Sequence, residues 1–218
     1  MKLLLTRHGE TDWNLIHRYQ GQSDIPLNQT GLRQTKQLAK RLASEKIDAI
    51  YSSDLSRAVD TAMEILKTQK ETIPLQKDPR WRELSFGKWE GLNHEEIQAQ
   101  WHEEAAKWYA DMVNLSPPGG ESLLQLAERV QSALEELKST HMEQTVLVVT
   151  HSGAIQTLLC ILLGMDLKRY WQFRVLQASL TIVSFHEGNA ALKLFNDTSH
   201  LDKTLPPPGA GYSETSEV

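Results

Sequence analysis

Long apolar runs are missing from this chain. No stretch approaches the roughly 20 apolar residues of a membrane span. The first apolar stretch, Leu3 to Leu5, ends at Thr6 and Arg7, which is too short for the core of a secretory signal. Cysteine is almost absent as well. Cys160 has no partner for an internal disulfide, and its setting in Leu158-Leu159-Cys160-Ile161-Leu162-Leu163 predicts a buried structural thiol. Positive charge is not in excess: 28 acidic against 23 basic side chains give a net charge of -5. That balance argues against a general binder of nucleic acid or membrane surfaces, although basic groups can still converge locally on an anion. These absences predict a cytoplasmic protein with no nucleic-acid or membrane partner. Several motifs are missing too. There is no Walker loop, no Gly-x-Ser-x-Gly elbow, no Gly-x-Gly-x-x-Gly fingerprint, no His-Glu-x-x-His, no cysteine pair and no Asp-x-Asp cluster. A metal site is therefore the weaker chemical reading, and no cofactor is expected.

Strand and helix signals alternate along the chain. Leu3-Leu4-Leu5 reads as a buried strand. After a polar loop, a helix is expected from Asn28, a suitable N-cap, to Ser44, with Leu32, Thr35, Leu38, Ala39 and Leu42 on one face. Ala49-Ile50-Tyr51 is a short strand, Leu55 to Thr68 a helix, and Thr72 to Gln76 a third strand. Leu123 to Lys138 is an amphipathic helix. Val146-Leu147-Val148-Val149 has the continuous apolar character of a strand buried on both faces of a parallel sheet. An apolar helix from Ala154 to Leu163 follows, then a hairpin of Leu180 to Phe185 and Ala191 to Phe195 around Glu187-Gly188-Asn189. Residues 78–122 break the rhythm. They hold four of the six tryptophans, with helical segments between Asn93 and Val113 and a stop at Ser116-Pro117-Pro118-Gly119-Gly120. The expected fold is α/β: a three-layer sandwich with a mostly parallel central sheet flanked by helices, a helical insertion over the active site and an antiparallel edge strand. Nothing in the composition divides the chain, so residues 1–204 are read as one domain. Residues 205–218, with Pro206-Pro207-Pro208, are expected to be a disordered tail.

Chemistry-bearing residues gather at predicted strand ends, where α/β sheets bind ligands. His8, in Arg7-His8-Gly9, and His151, in Thr150-His151-Ser152-Gly153, each follow an apolar strand directly. If the two strands are neighbours, both imidazoles enter one cleft. Arg7 stands beside His8, and Arg57 near the start of the second helix, where backbone N–H groups also favour anions. A carboxyl in an aromatic setting can donate a proton. Glu83, Glu90 and Glu10 are the candidates, and position does not choose among them. Together these groups describe phosphoryl transfer: a histidine attacks phosphorus while guanidinium and imidazole groups bind its oxygens.

The chain resembles the histidine phosphatase superfamily, the group that includes cofactor-dependent phosphoglycerate mutase. The resemblance spans residues 2–200. It rests on Arg7-His8-Gly9-Glu10-Thr11 with Trp13-Asn14, Asp24-Ile25-Pro26-Leu27 and Tyr51-Ser52-Ser53-Asp54-Leu55-Ser56-Arg57-Ala58. Arg82-Glu83-Leu84-Ser85-Phe86-Gly87-Lys88-Trp89-Glu90-Gly91, Pro118-Gly119-Gly120-Glu121-Ser122 and Val149-Thr150-His151-Ser152-Gly153 continue it. It implies that His8 is the nucleophile, that Arg7, Arg57 and His151 form the phosphate pocket, and that Glu83 is the proton donor in preference to Glu90. It also implies that Asn14 lies at the pocket mouth, that Gln20 and Gly21 line the substrate side, and that Ser152 joins the substrate-binding positions.

Within the family, Phe86 to Asn93 passes on without the paired arginines that mutases carry in a longer middle segment. Gly119-Gly120-Glu121-Ser122 is similar to the phosphatase branch, which includes α-ribazole, broad-specificity acid and metal-independent phosphoserine phosphatases. Gln156 departs from the arginine that many of these have there. The expectation is a metal-independent phosphatase acting on a small phosphorylated metabolite, as a monomer or homodimer. The alternatives are a mutase-type phosphotransferase and a non-catalytic phospholigand-binding module. The middle segment, with Trp101, Trp108, Tyr109 and Met112, is expected to cover the pocket and set specificity, although for any single one of these aromatics packing of the insertion onto the sheet is the better reading. Lys88, Arg82 and His102 are candidates to hold a substrate carboxylate.

Overall fold

The two apolar segments Leu3–Leu5 and Val146–Val149 become adjacent strands at the middle of one sheet. In the computed structural model, which describes residues 1–186 and 188–201, β1 (Lys2–Arg7) pairs in parallel with a later strand from Lys2 opposite Thr145 to Arg7 opposite Thr150. The chain between them runs through α1 (Asp12–Leu15), α2 (Gln29–Leu42), β2 (Ala49–Ser52), α3 (Ser56–Leu66) and β3 (Leu75–Lys77). It continues through α4 (His94–Gln100), α5 (His102–Ala110) and α6 (Leu123–Thr140) to β4 (Thr145–Thr150). After β4 come α7 (Ser152–Leu162), β5 (Leu180–His186) and β6 (Asn189–Asp197). The sheet order is β3-β2-β4-β1-β5-β6. Its first three pairings are parallel, and β5 and β6 run antiparallel at the far side. The antiparallel part is the expected terminal hairpin, with β6 at the sheet edge. The expected tail at 205–218 and Glu187 of the hairpin turn lie outside the described residues.

Strand alternation sorts the core into two layers. Leu3, Leu5, Ala49, Tyr51, Val146 and Val148 face α6 and α7, while Leu4, Ile50, Leu147 and Val149 face α2 and α3. The 78–122 segment joins the first layer. Trp81, Trp89, Ile97, Ala105 and Trp108 are buried there, so three of its four tryptophans are packing residues. Trp108 meets Trp89 edge-on, with ring centroids 5.5 Å apart, and is not free to cover a pocket. Its helical stretch is two helices broken at Trp101.

Several boundaries move for identifiable reasons. β3 begins at Leu75, not Thr72, because Pro74 has no N–H to give the ladder. Leu32 is exposed, since the buried stripe of α2 runs through Gly31, Gln34, Thr35, Leu38, Ala39 and Leu42. α7 starts at Ser152, two residues early, which brings its N-terminus to His151. A 3₁₀ helix over Leu167–Gln172 carries no clear periodic signal. Asn28 caps α2 as expected, its side chain accepting from Gly31 N at 2.8 Å.

The loop after β1 and the start of α2 touch through their backbones. A Cβ at Gly31 would stand 2.1 Å from the Glu10 carbonyl oxygen. In an ordinary helix, Gly→Ala gains about 1 kcal/mol. Here the new methyl meets a main chain that cannot rotate away. Gly31→Ala is therefore expected to lower stability by roughly 1–3 kcal/mol, read as a smaller urea midpoint at unchanged slope. A rise in midpoint would show that the loop yields freely.

Candidate active site

The register of β1 on β4 carries one residue past the strand ends. His8 N donates to the Thr150 carbonyl at 3.0 Å, and the His8 and His151 rings stand 5.0 Å apart between centroids at 61°. Both are almost fully buried. His8 Nδ1 is 2.6 Å from the Gly9 carbonyl oxygen. A carbonyl can only accept, so Nδ1 carries the proton and Nε2 presents its lone pair. Burial, then Arg57 and Arg7, lower the His8 pKa well below 6.5 against the opposing pull of the Gly9 bond. His151 is lowered likewise by burial, Arg57, His8 and Arg7. Neither of its ring nitrogens has a hydrogen-bond partner. A buried imidazole with both nitrogens unsatisfied is costly, and such groups are characteristic of ligand sites.

Arg57 projects from the first turn of α3, which β2 places beside β4. Its side chain is fully buried. Nη1 donates to Ser23 O at 2.7 Å and Nη2 to Gly21 O at 2.8 Å. Those bonds are to neutral carbonyls, so its charge is not cancelled by a bonded carboxylate. Burial lowers its pKa to about 10, which leaves it cationic at neutral pH. Arg7 Nη1 donates to Val175 O at 2.7 Å. The loop after the 3₁₀ helix is held there because Ala178 N bonds both the Arg7 and His8 carbonyls, with Ala178 at φ 51°.

Glu83 reaches the N-terminus of α7. Its Oε2 accepts from Ser152 Oγ and from Gly153 N, each at 3.2 Å, and Oε1 accepts from Leu84 N at 2.9 Å. The approach needs glycine: a Cβ at position 153 would lie 2.3 Å from Glu83 Oε1. The rival carboxylates are engaged elsewhere. Glu90 accepts from Gln22 N, Phe86 N and Ser23 Oγ, and Glu10 from Asn28 Nδ2. Arg82 does not pair with Glu83. It forms a two-bond contact with Asp54, at 2.6 and 2.5 Å, and so is committed there rather than to a substrate carboxylate.

The remaining predicted positions differ in how far their polar atoms are engaged. Asn14 closes the capping box of α1 with the N-cap Thr11, its Oδ1 accepting from Thr11 N and Oγ1 at 3.1 Å each. Gln20 is buried with Oε1 unpartnered, and Gly21 is held to Arg57 through its carbonyl. Lys88 lies 5.8 Å from the Trp101 ring centroid, while Tyr109 OH is 3.1 Å from Tyr19 OH and 3.0 Å from His94 Nδ1. Gln156 Nε2 donates to the Phe173 carbonyl. Cys160 is buried, as its apolar setting predicts. Sequence reasoning passed over Arg129, whose guanidinium bonds the carbonyls of Arg80, Arg82 and Glu83. A signal existed: Arg129 sits on α6 beside the buried stripe of Leu126, Ala127 and Val130. Among the described residues, no group of three or more His, Cys, Asp or Glu is placed to hold a metal ion, and no helix is long and apolar enough to cross a membrane.

A family model described as "Histidine phosphatase superfamily (branch 1)" matches residues 3–198. Phosphoserine phosphatase 1 of Hydrogenobacter thermophilus is 37% identical over 201 residues, covering 92% of this chain and 94% of the relative. The crystal structure of the alpha-ribazole phosphatase from Shigella flexneri superposes with a TM-score of 0.84 at 30% identity, over 90% of this chain and 96% of that one. A mutant phosphoserine phosphatase from Entamoeba histolytica, solved in complex with phosphoserine, superposes at 0.81 with 31% identity, over 92% and 98% of the two chains. The chain belongs to the histidine phosphatase superfamily.

The buried imidazoles have a consequence for pH. Unfolded, both histidines take up protons near 6.5; folded, both stay neutral well below that. As pH falls through about 6.5 the unfolded state binds more protons, so stability is present above that value and is lost below it. In phosphate-free buffer, the His8 and His151 ring resonances should titrate with midpoints below 6.5. His151→Gln should flatten the acid limb of stability against pH. A midpoint at or above 6.5 for His8 would overturn the neutral state.

Proposed function

We propose that this member of the histidine phosphatase superfamily hydrolyses small phosphomonoesters through a covalent phosphohistidine on His8, with Glu83 as proton donor and without a metal ion. The observation that carries this reading is the state of His8. It is neutral, anchored through Nδ1 and flanked by buried guanidinium groups.

The His8 Nε2 lone pair attacks phosphorus in line as the ester P–O bond breaks. The departing alkoxide takes the proton of Glu83. Arg7, Arg57 and the N–H of neutral His151 bind the equatorial oxygens, whose negative charge must be stabilised in the transition state. Water then gives a proton to the Glu83 carboxylate and attacks phosphorus, the P–N bond breaks, and phosphate leaves with His8 neutral again. Positive charge comes from side chains, so the scheme requires neither metal nor cofactor. Ser152, already bonded to Glu83, orients the donor. Asn14, Gln20 and Gly21 line the side from which the leaving group departs. The named activities of the relatives, on phosphoserine and α-ribazole phosphate, favour a small phosphorylated metabolite and water as acceptor.

The wild-type protein should hydrolyse an aryl phosphate in excess chelator and form an acid-labile phosphoenzyme when quenched during turnover. His8→Ala should do neither, and Glu83→Gln should lower kcat/KM for alkyl phosphates by about 10²–10⁴-fold. Full activity in His8→Ala, or activity that chelator abolishes and a divalent ion restores, would sink the mechanism. Isomer formation from a phosphoglycerate faster than phosphate release would favour the mutase instead. Phosphate binding with no turnover of any ester would favour a binding module.

A further inference from the structure

The segment that carries Glu83 is held from outside. Four consecutive carbonyls accept from side chains of other elements: Arg80 O from Arg129 Nη1 at 2.9 Å, Trp81 O from Thr150 Oγ1 at 2.6 Å, Arg82 O from Arg129 Nη1 at 2.7 Å, and Glu83 O from Arg129 Nη2 at 2.8 Å. Gln22 Nε2 adds a longer bond to Glu83 O at 3.3 Å. A backbone without its own repeating ladder follows the donors that reach it, and three of these four carbonyls depend on one guanidinium.

That guanidinium is saturated. Besides the three carbonyls, Arg129 Nε donates to Glu121 Oε2 at 3.1 Å and Nη2 to Glu121 Oε1. All five of its N–H donors are thereby used. Glu121 is itself bound to the far end of the segment. It accepts from Ser85 N at 2.9 Å, and its own N donates to Ser85 O at 3.0 Å. Arg129 and Glu121 therefore grip residues 80–85 at both ends. A lysine, with three donors on a single atom, cannot reproduce a planar fork that bonds three carbonyls and a carboxylate at once.

We propose that Arg129, with Glu121, is the positioning residue of the proton donor. It touches no reacting atom. It fixes the 80–85 backbone so that the Glu83 carboxyl stands against Gly153 N and Ser152 Oγ. This inference rests on the proposed role of Glu83 and adds the element that holds it in place.

The test is leaving-group dependence, which a merely structural residue would not alter. kcat/KM is measured on the full chain across phosphate esters from 2,4-dinitrophenyl, whose leaving group departs unprotonated, through phenyl to a simple alkyl ester. Arg129→Lys should lose about 10²-fold on the alkyl ester but less than about threefold on the dinitrophenyl ester, because a misplaced donor matters only where a proton is needed. Glu83→Gln should steepen the same plot, and the double variant should be no steeper than Glu83→Gln alone. An equal fall along the series, or none, in Arg129→Lys overturns the inference. If Glu83→Gln steepens the plot and Arg129→Lys does not, only the positioning role falls. If Glu83→Gln runs parallel to wild type, the proton-donor reading falls and takes this inference with it. Should Arg129→Lys fail to fold by circular dichroism, Glu121→Gln decides: a steeper plot supports the inference and a parallel one overturns it.

Discussion

The parallel pairing of β1 with β4 brings Arg7, His8 and His151 together, and the other groups of the site are arranged around that pair of strands. Arg7 lies opposite Thr150, so the next residue on each strand is a histidine leaving the sheet at the same level. A register slip of one residue would send alternate side chains to the opposite face. Were β1 to slip against β4, Leu4 would exchange layers with Leu3 and Leu5, and the two imidazoles would no longer meet. Both faces of these strands are buried, so a slip is penalised on both sides at once. The precision of the 5.0 Å ring pair is thus inherited from the hydrophobic core, which no functional residue needs to enforce locally.

The core must also offset what the site costs. Arg57 is wholly buried, and two imidazoles are withdrawn from water with one of them unsatisfied. Burying an ion costs several kcal/mol in real proteins, whereas each fully buried leucine or isoleucine side chain contributes about 1.5–3 kcal/mol. Leu3, Leu4, Leu5, Leu38, Leu42, Ile50 and Ile65 are all wholly buried around the central strands. The sheet can therefore hold a cluster of like-charged groups together before any anion arrives. The same burial that weakens the fold keeps His8 neutral, and a neutral imidazole is the form with a lone pair to give.

Much of this was legible because strands, helix caps and buried charge obey local rules. The apolar runs at Leu3 and Val146 marked the central strands, and the residues directly after them marked the cleft. Asn28 announced α2. Choosing Glu83 over Glu90 and Glu10 needed the family resemblance, since all three are carboxylates near glycine or aromatic residues. The structure adds that Glu90 and Glu10 are tied into loop scaffolding. What stayed hidden was long-range. Arg129 reads as an ordinary polar residue on a helix and Glu121 only as part of a family motif, and what each does depends on backbone groups 36 to 49 residues away. The tryptophans could be read either way from composition, with packing the better reading for any single one. The fold spends Trp81, Trp89 and Trp108 on packing.

That outcome narrows the set of side chains with polar atoms to spare. A residue can read a leaving group only if it has polar atoms left over after folding. Arg82 is spent on Asp54, Glu90 on the 22–23 loop, and Trp108 on the core. What remains near the site is narrower. The Gln20 amide is buried with an unpartnered oxygen, and the Asn14 oxygen is engaged at the cap of α1. Further out, Tyr19, Tyr109 and His94 form a hydroxyl and imidazole chain that links the first loop to the two insertion helices. Tyr19 belongs to the same loop as Gln20, and its carbonyl accepts from Gly91 N while its N donates to Leu92 O. The insertion and the loop after α1 are therefore laced together through main chain and side chain alike. The strand ends are thus fixed by the sheet, whereas this pair of loops is fixed by bonds between the loops themselves, so the two parts of the molecule can vary independently.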